Sequence, residues 1–338
     1  MNIIRQNVGI DIAKDSFVAT YTTLLEKQKL KHHSTKSFIN NTKGFKEFLG
    51  WTKKYQTTNI TESYTMEATG VYYESLAYYL IENKKTTHVL LPNKVKKFGE
   101  SLDLKSKTDK IDSKILGQIG VERQLEVWKL NTVLYRSLKK LSREREQIIK
   151  ERSVLKNQIH AENHSAEPLL STLNRMTSRI SFLNEHIDSI DKELKNLVKS
   201  DLVLSKKTNN ILTIPAVGFI TAITIIAETQ GFINVRSIKQ LTSYAGLDVS
   251  LKESGNWKGK PRISKKGNSR IRKVLYMPTL TAIQFNKQYK KFYERVTPKK
   301  VNGLIAITAI ERKMLGLIYS LWKNDTVYDE NHNQGKKK

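Results

Sequence analysis

Residues 7–23 read NVGIDIAKDSFVATYTT. Residues 7–12 form a short apolar run and residues 16–23 a run of alternating character, with Lys14-Asp15 between them as a turn signal. Two such runs around a short polar turn predict a β-hairpin. Asp11 closes the first strand. In α/β sheets the carboxyl end of a strand is a common ligand position. A strand-end aspartate also serves as a turn acceptor, a role that suits Asp15 better.

Residues 37–39 open a third strand. Residues 42–54 carry Phe45, Phe48 and Leu49 at helical spacing, with Thr42 as the expected N-cap. Residues 64–67 read as a buried strand, and residues 72–83 as a helix with Leu76, Tyr79 and Leu80 on one face. Residues 88–91 read as a further strand ended by Pro92. Strand and helix alternating after a hairpin predict an α/β unit with a mixed sheet, up to about residue 125. Glu67 lies between Met66 and Ala68, where a buried carboxylate needs a partner or a metal. Asp109 and Asp112 are three residues apart and share a helix face. They repel unless a cation, from Lys107, Lys110 or a divalent metal, lies between them.

The charge balance sets the partner class. The 338 residues hold 59 Lys plus Arg against 32 Asp plus Glu, a net charge of +27. Such an excess calls for a polyanion. A few acids kept beside apolar segments suggest a hard metal ion facing phosphate, since Mg²⁺ is held by carboxylates together with substrate phosphates. The absence of cysteine excludes disulfides and Cys-ligated zinc. His160 and His164 are four residues apart, but no acid completes a zinc pattern, and they read as surface residues. The longest apolar run, residues 211–227, contains Pro215 and Gly218 and falls short of a membrane span. The N-terminus shows no signal-peptide pattern.

Residues 131–200 change character. Leucine and isoleucine recur at helical intervals on both sides of Pro168, which predicts a long antiparallel helical pair or a dimerising coiled coil. Residues 207–322 form a second globular unit, and the tail beyond it is polar. The run LTIPAVGFITAITII (212–226) suits either a helix-hairpin-helix, whose turn offers backbone N–H groups to a DNA phosphate, or a core helix broken at Pro215-Ala216. Between Glu253 and Tyr276 there is no acid, while Lys258, Lys260, Arg262, Lys265, Lys266, Arg270, Arg272 and Lys273 crowd together with Gly255, Gly259 and Gly267. Basic, glycine-rich segments opening onto a helix N-terminus bind phosphate well. Ser254 stands at the front of this segment; as a hydroxyl, Ser250, Ser264 or Ser269 is equally eligible as a nucleophile.

Five separated segments then agree in order and spacing with one family. VGIDIAKDSF (8–17), MEATGVYYESLAYYL (66–80), KTDKIDSKIL (107–116), the IPAVG run (214–218) and GLDVSLKESGNWKGKPRISKKGNSRIRKVLY (246–276) resemble the DEDD transposases of insertion sequences, the Piv-like, bridge-RNA-guided serine recombinases. The resemblance runs from about residue 7 to about 290. It implies a RuvC-like (RNase H-like) domain over residues 1–128, a helical coiled-coil linker over 129–204, a mostly helical C-terminal transposase domain over 205–325 and a polar tail over 326–338. Asp11, Glu67, Asp109 and Asp112 would be the ligands of Mg²⁺ or Mn²⁺, and Ser254 the nucleophile that forms a covalent link to a DNA phosphate. The eight cations from Lys258 to Lys273 would hold nucleic acid. Implied partners are donor and target DNA, a noncoding bridge RNA and further copies of the chain, as a dimer or tetramer, in the bacterial cytoplasm and at the nucleoid when acting. Carboxylates and serine fall in different domains, so assembly would join them. Three positions depart from the family pattern: Ser113 stands where Ala is usual, Ala216 where the hairpin often has Gly, and Val249 where Pro is common. Two other readings share these residues. One is a RuvC-like structure-specific nuclease using the carboxylates and metal-activated water. The other is a non-catalytic nucleic-acid-binding protein with structural acids.

Overall fold

The computed structural model describes residues 2–103, 106, 108–130, 132–251, 253–299 and 303–331. The chain divides into two compact units, Met1–Leu130 and Asn131–Lys338. The first is mixed α/β and the second mostly helical.

The first unit is built on a five-stranded sheet. β1 (Ile3–Ile12), β2 (Ser16–Leu25) and β3 (Lys29–Ile39) form an antiparallel meander. β4 (Glu62–Glu67) pairs parallel to β1, and β5 (Thr86–Leu90) parallel to β4, giving the order β3-β2-β1-β4-β5. Side chains alternate between the faces of a strand, and here the two faces differ in chemistry. Val8, Ile10, Ile12, Phe17, Tyr21, Tyr64 and Met66 share an apolar core with Phe45, Phe48 and Trp51 of α1 (Thr42–Thr52) and Leu76 and Leu80 of α2 (Glu74–Glu82). The opposite face carries Asn7, Gly9, Thr20, Thr22 and Thr65, and the polar ones among them are fully buried.

That polar face is covered by α4 (Asp109–Glu122), which packs on β1, β2 and β4. The approach is backbone to backbone: a Cβ on Gly9 would stand 2.0 Å from the Gly117 nitrogen and 2.1 Å from the Ser113 oxygen. Buried polar groups need partners, and they have them. Asn7 Nδ2 donates to Ser63 Oγ at 2.7 Å and Thr65 Oγ1 at 2.9 Å, and the Thr20 and Ser113 hydroxyls bond at 2.7 Å. Ser113, a departure from the family pattern, is thus matched by a hydroxyl on β2.

Several local expectations are corrected. The N-cap of α1 is Asn41, whose side chain accepts from the Gly44 N–H at 2.9 Å, and Thr42 is the first helical residue. The third strand begins at Lys29 rather than Ser37; as an edge strand it tolerates the polar run KLKHHSTKS that hid it. Pro92 does more than end a strand, because it is the first residue of α3 (Pro92–Glu100), where its missing N–H costs nothing.

The second unit opens with α5 (Val133–Asn163) and α6 (Leu170–Lys199), joined by the loop that holds Pro168. The Arg145–Asp191 pair at 2.5 Å and the Arg152–Asn184 bond at 2.7 Å show them to be antiparallel. α7 (Leu202–Leu212), α8 (Phe219–Thr229), α9 (Ile238–Ala245), α10 (Ser269–Phe285), α11 (Lys287–Val296) and α12 (Gly303–Asn324) complete the unit. The apolar run of residues 211–227 spans the end of α7, a turn and most of the buried helix α8. Among the described residues no helix is long and apolar enough to cross a membrane.

Candidate active site

The sheet register brings two of the expected carboxylates side by side. Ile10 of β1 lies opposite Met66 of β4 in parallel register, so the next residues, Asp11 and Glu67, end adjacent strands. Both fall on the odd-numbered, α4-covered face that also holds Asn7, Gly9, Ser63 and Thr65. α4 runs antiparallel to β1, with Gly120 against Asn7 and Gly117 against Gly9. Its N-terminal turn, with Asp109 and Asp112, therefore extends toward the end where Asp11 and Glu67 stand. Thr108 caps this turn by accepting from the Ile111 N–H at 3.3 Å. Acids in a first helical turn are favoured by the helix dipole on their own account.

Glu67 is half-buried rather than buried, and Thr69 Oγ1 donates to its Oε1 at 3.2 Å; as the last residue of β4 it emerges from the apolar stretch. Asp11 and Asp112 are half-buried and Asp109 is exposed. Lys107 lies outside the described residues. Among the described residues no three His, Cys, Asp or Glu side chains come close enough together to hold one metal ion. The donor set itself is all carboxylate oxygen, the chemistry of a hard divalent cation such as Mg²⁺ or Mn²⁺.

Ser254 sits in a narrow antiparallel arm. Val249–Ser250 (β6) pairs with Arg262–Ile263 (β9), and beyond them Glu253–Ser254 (β7) pairs with Trp257–Lys258 (β8). Gly255 and Asn256 make the two-residue turn, and Gly255 has φ 56, a left-handed value that two-residue hairpin loops require. Ser254 is exposed at the tip of the arm, where its neighbour Glu253 pairs with Lys258; Lys260, Arg262, Lys265 and Lys266 are exposed further along the arm toward its base. Of the other serines, Ser264 hydrogen-bonds the Asp248 carboxylate, Ser269 begins α10, and Ser250 lies in β6.

The remaining three cations of the segment are engaged within the protein. Arg270 pairs with Glu146 of α5 at 2.8 Å, Lys273 with the same carboxylate at 3.1 Å, and Arg272 donates to the Ala245 carbonyl at 2.7 Å. They bind the start of α10 to its neighbours.

Sequence reading missed the residue at the base of the arm. Glu228, on α8, is 1% exposed and accepts from Arg143 Nε at 2.7 Å and Nη2 at 2.9 Å. Asn268 Nδ2 donates to it at 2.7 Å, while Asn268 Oδ1 caps α10 by accepting from the Arg270 and Ile271 N–H groups. Tyr244 donates its hydroxyl to the Glu228 carbonyl at 2.8 Å, and the Asn268 N–H reaches the Tyr244 carbonyl at 2.8 Å. Both legs of the arm are thus tied to one glutamate. Burial pushes the Glu228 carboxyl up, and the bonds from Arg143 and Asn268 more than reverse this, leaving it below the ordinary range. The available signal was an acid closing an otherwise apolar helix. Glu311, in the middle of α12, is a second buried acid: burial pushes its carboxyl up to about 7 against the pull of Arg272 and Arg312. The His160 and His164 rings lie 4.2 Å apart on α5, and His164 Nδ1 meets the His160 carbonyl at 2.7 Å.

Comparison with known proteins assigns the class. A DEDD transposase model of the IS110 type matches residues 8–162, and the model of the transposase IS116/IS110/IS902 family matches residues 208–294. The pilin gene-inverting protein of Moraxella bovis is 26% identical over 329 residues, covering 96% of this chain and 97% of that protein. The Moraxella lacunata protein of the same name is 27% identical, with the same coverage. The transposase for insertion sequence element IS1328 of Yersinia enterocolitica is 25% identical over 211 residues, covering 55% of this chain and 61% of that protein. The molecule is a DNA-cutting and joining enzyme, a transposase or recombinase. Its chain belongs to the IS110-type DEDD transposase family.

Proposed function

We propose that the protein recombines donor and target DNA through a covalent link at Ser254. The observation that carries this reading is the exposed position of Ser254 beside the turn of a cation-studded arm. A phosphate drawn to Lys258 is brought beside the hydroxyl, while Lys260, Arg262, Lys265 and Lys266 hold the backbone further along the arm. Ser254 Oγ bonds to phosphorus, and the departing deoxyribose oxygen takes a proton. A hydroxyl of another strand then bonds to the same phosphorus, and the serine leaves with its proton restored. Arg270, Arg272 and Lys273 act in the same surface by holding α10 in place.

Residues 1–128 are proposed as a RuvC-like domain; the mixed five-stranded order β3-β2-β1-β4-β5, with acids at one end, supports it. Asp11, Glu67, Asp109 and Asp112 would hold Mg²⁺ or Mn²⁺, whose chemistry is to polarise a phosphodiester and acidify a bound hydroxyl. Residues 129–204 are proposed as a coiled-coil linker through which copies associate as a dimer or tetramer. Residues 205–325 form the transposase domain, with 326–338 as its polar tail; residues 332–338 lie outside the described residues. A noncoding bridge RNA pairing with both DNAs would be a further polyanion to hold, in keeping with a net charge of +27.

The test is strand joining with the element's flanking RNA, both DNAs and Mg²⁺, stopped in denaturant. Wild type should yield a protein–DNA adduct that Ser254→Ala lacks. Cleavage without an adduct, unchanged in Ser254→Ala, would transfer the chemistry to the carboxylates and water.

A further inference from the structure

We propose that α11 is a second DNA-backbone contact, separate from the serine arm. Lys287, Lys291 and Arg295 recur every four residues and so share one face of the helix, with Lys290 beside them. All four are exposed, and the only acid on that face is Glu294. The opposite face is anchored: Tyr289 is 3% exposed, Phe292 and Tyr293 pack on the unit's core, and Lys313 of α12 lies over the Tyr289 and Phe292 rings at 5.6 and 5.2 Å. Arg295 is itself stacked on Phe292 at 5.1 Å, which steadies its side chain while leaving it exposed. Asn286 fixes the start of the helix by accepting from the Gln288 and Tyr289 N–H groups at 3.0 and 3.1 Å.

This rigid stripe matches a phosphate backbone in spacing and sign. From Lys287 to Arg295 the helix rises about 12 Å, and one DNA strand carries a charge about every 3.4 Å of axis. Four cations over that length meet a run of three or four phosphates. Next to the stripe lies a groove of about 420 Å³, bordered by Pro215 and Ala216 of the α7–α8 turn and by Thr281, Phe285, Lys287 and Glu330. Phe285 is 76% exposed, an aromatic face beside the Lys287 cation that suits packing against a deoxyribose of the duplex backbone. Charge complementarity and the enzyme's action on DNA commit this surface to duplex DNA.

The test uses the full-length protein, a random-sequence DNA duplex and a stem–loop RNA, with no chemistry required. The triple variant Lys287→Gln, Lys291→Gln, Arg295→Gln should bind the duplex at least about tenfold more weakly at low salt. Its plot of log affinity against log salt should be shallower by about 2–3, since each lost phosphate contact removes about 0.9. Phe285→Ala should weaken binding without changing that slope. Because the substituted side chains are exposed, thermal unfolding should stay at the wild-type midpoint; were the triple variant to misfold, Lys291→Gln alone should still reduce the slope by about 0.9. An unchanged slope and affinity, or a loss seen with the RNA and not the duplex, would overturn the proposal. Ser254→Ala should bind the duplex like wild type, so failure of the serine assignment leaves this measurement intact.

Discussion

The Glu228 carboxylate accepts both Nε and Nη2 of Arg143, at 2.7 and 2.9 Å, in a fork that ties α8 to α5 beneath the serine arm. Removing one partner of a buried pair leaves the other uncompensated, at about 3–5 kcal/mol when both are dry. Here the Arg143 side chain is 42% exposed and water screens it. Glu228→Ala should therefore destabilise the second unit by about 2–3 kcal/mol, read as a lower denaturation midpoint. Asn268→Ser keeps a capping hydroxyl for α10 and loses the amide's bonds to Glu228 and Tyr244. It should lower strand joining while nearly preserving the midpoint, and hydrogen exchange should rise across residues 244–268.

The same glutamate makes an acid limb of stability. Its folded carboxyl lies below the ordinary range, so its contribution is present above the unfolded value, about pH 4.3, and is lost as pH falls through the folded value. Glu228→Gln should flatten the loss of stability below about pH 4.3, followed by thermal unfolding at a series of pH values. An unaltered acid limb would remove Glu228 as its source.

Glu311 works in the opposite sense. Its folded carboxyl titrates at about 7, above the unfolded value, so the native state binds the extra proton and stability falls as pH rises through that range. Glu311→Gln stays neutral throughout. It should raise the unfolding midpoint at pH 8, by the equivalent of about 1–3 kcal/mol, and leave it unchanged at pH 4.

Ala216 has φ 69, a left-handed conformation that costs an L-residue about 1–2 kcal/mol. Glycine relieves the strain and restores the residue common in the family, at the expense of a more flexible unfolded chain. Ala216→Gly should stabilise the second unit by about 0.5–1 kcal/mol. Equilibrium unfolding in urea reads this directly.

Gly9 leaves no space for a methyl group, because both nearest atoms belong to the backbone of α4. Gly9→Ala must push α4 off the sheet and carry Asp109 and Asp112 away from Asp11. A destabilisation of at least about 3 kcal/mol of the first unit is expected, together with loss of strand joining. A well-folded, active Gly9→Ala protein would contradict the close packing of α4 on β1.

Local patterns were legible where one element decides its own form. The β1–β2 hairpin, the strand at Glu67 and the α5–α6 break at Pro168 all follow from apolar periodicity and turn chemistry. The polar edge strand β3 was mostly hidden, since its side chains bury little and alternate weakly. Helix α3 was missed because Pro92 reads as an end as readily as a beginning. Within the basic segment, sequence could count eight cations but could not show that Arg270, Arg272 and Lys273 have protein partners.

The strongly cationic composition, the order of an α/β unit before a helical one, and the ordered motifs of a transposase family are all written in the chain. Those depend on composition and on neighbours a few residues apart. Tertiary structure alone decided that Asp11 and Glu67 stand on adjacent strands, that α4 points Asp109 and Asp112 to the same end, and that Glu228 is buried against Arg143. Each of these joins residues far apart in the chain, and register, glycine-permitted close approach and exclusion of water arise only when the elements pack.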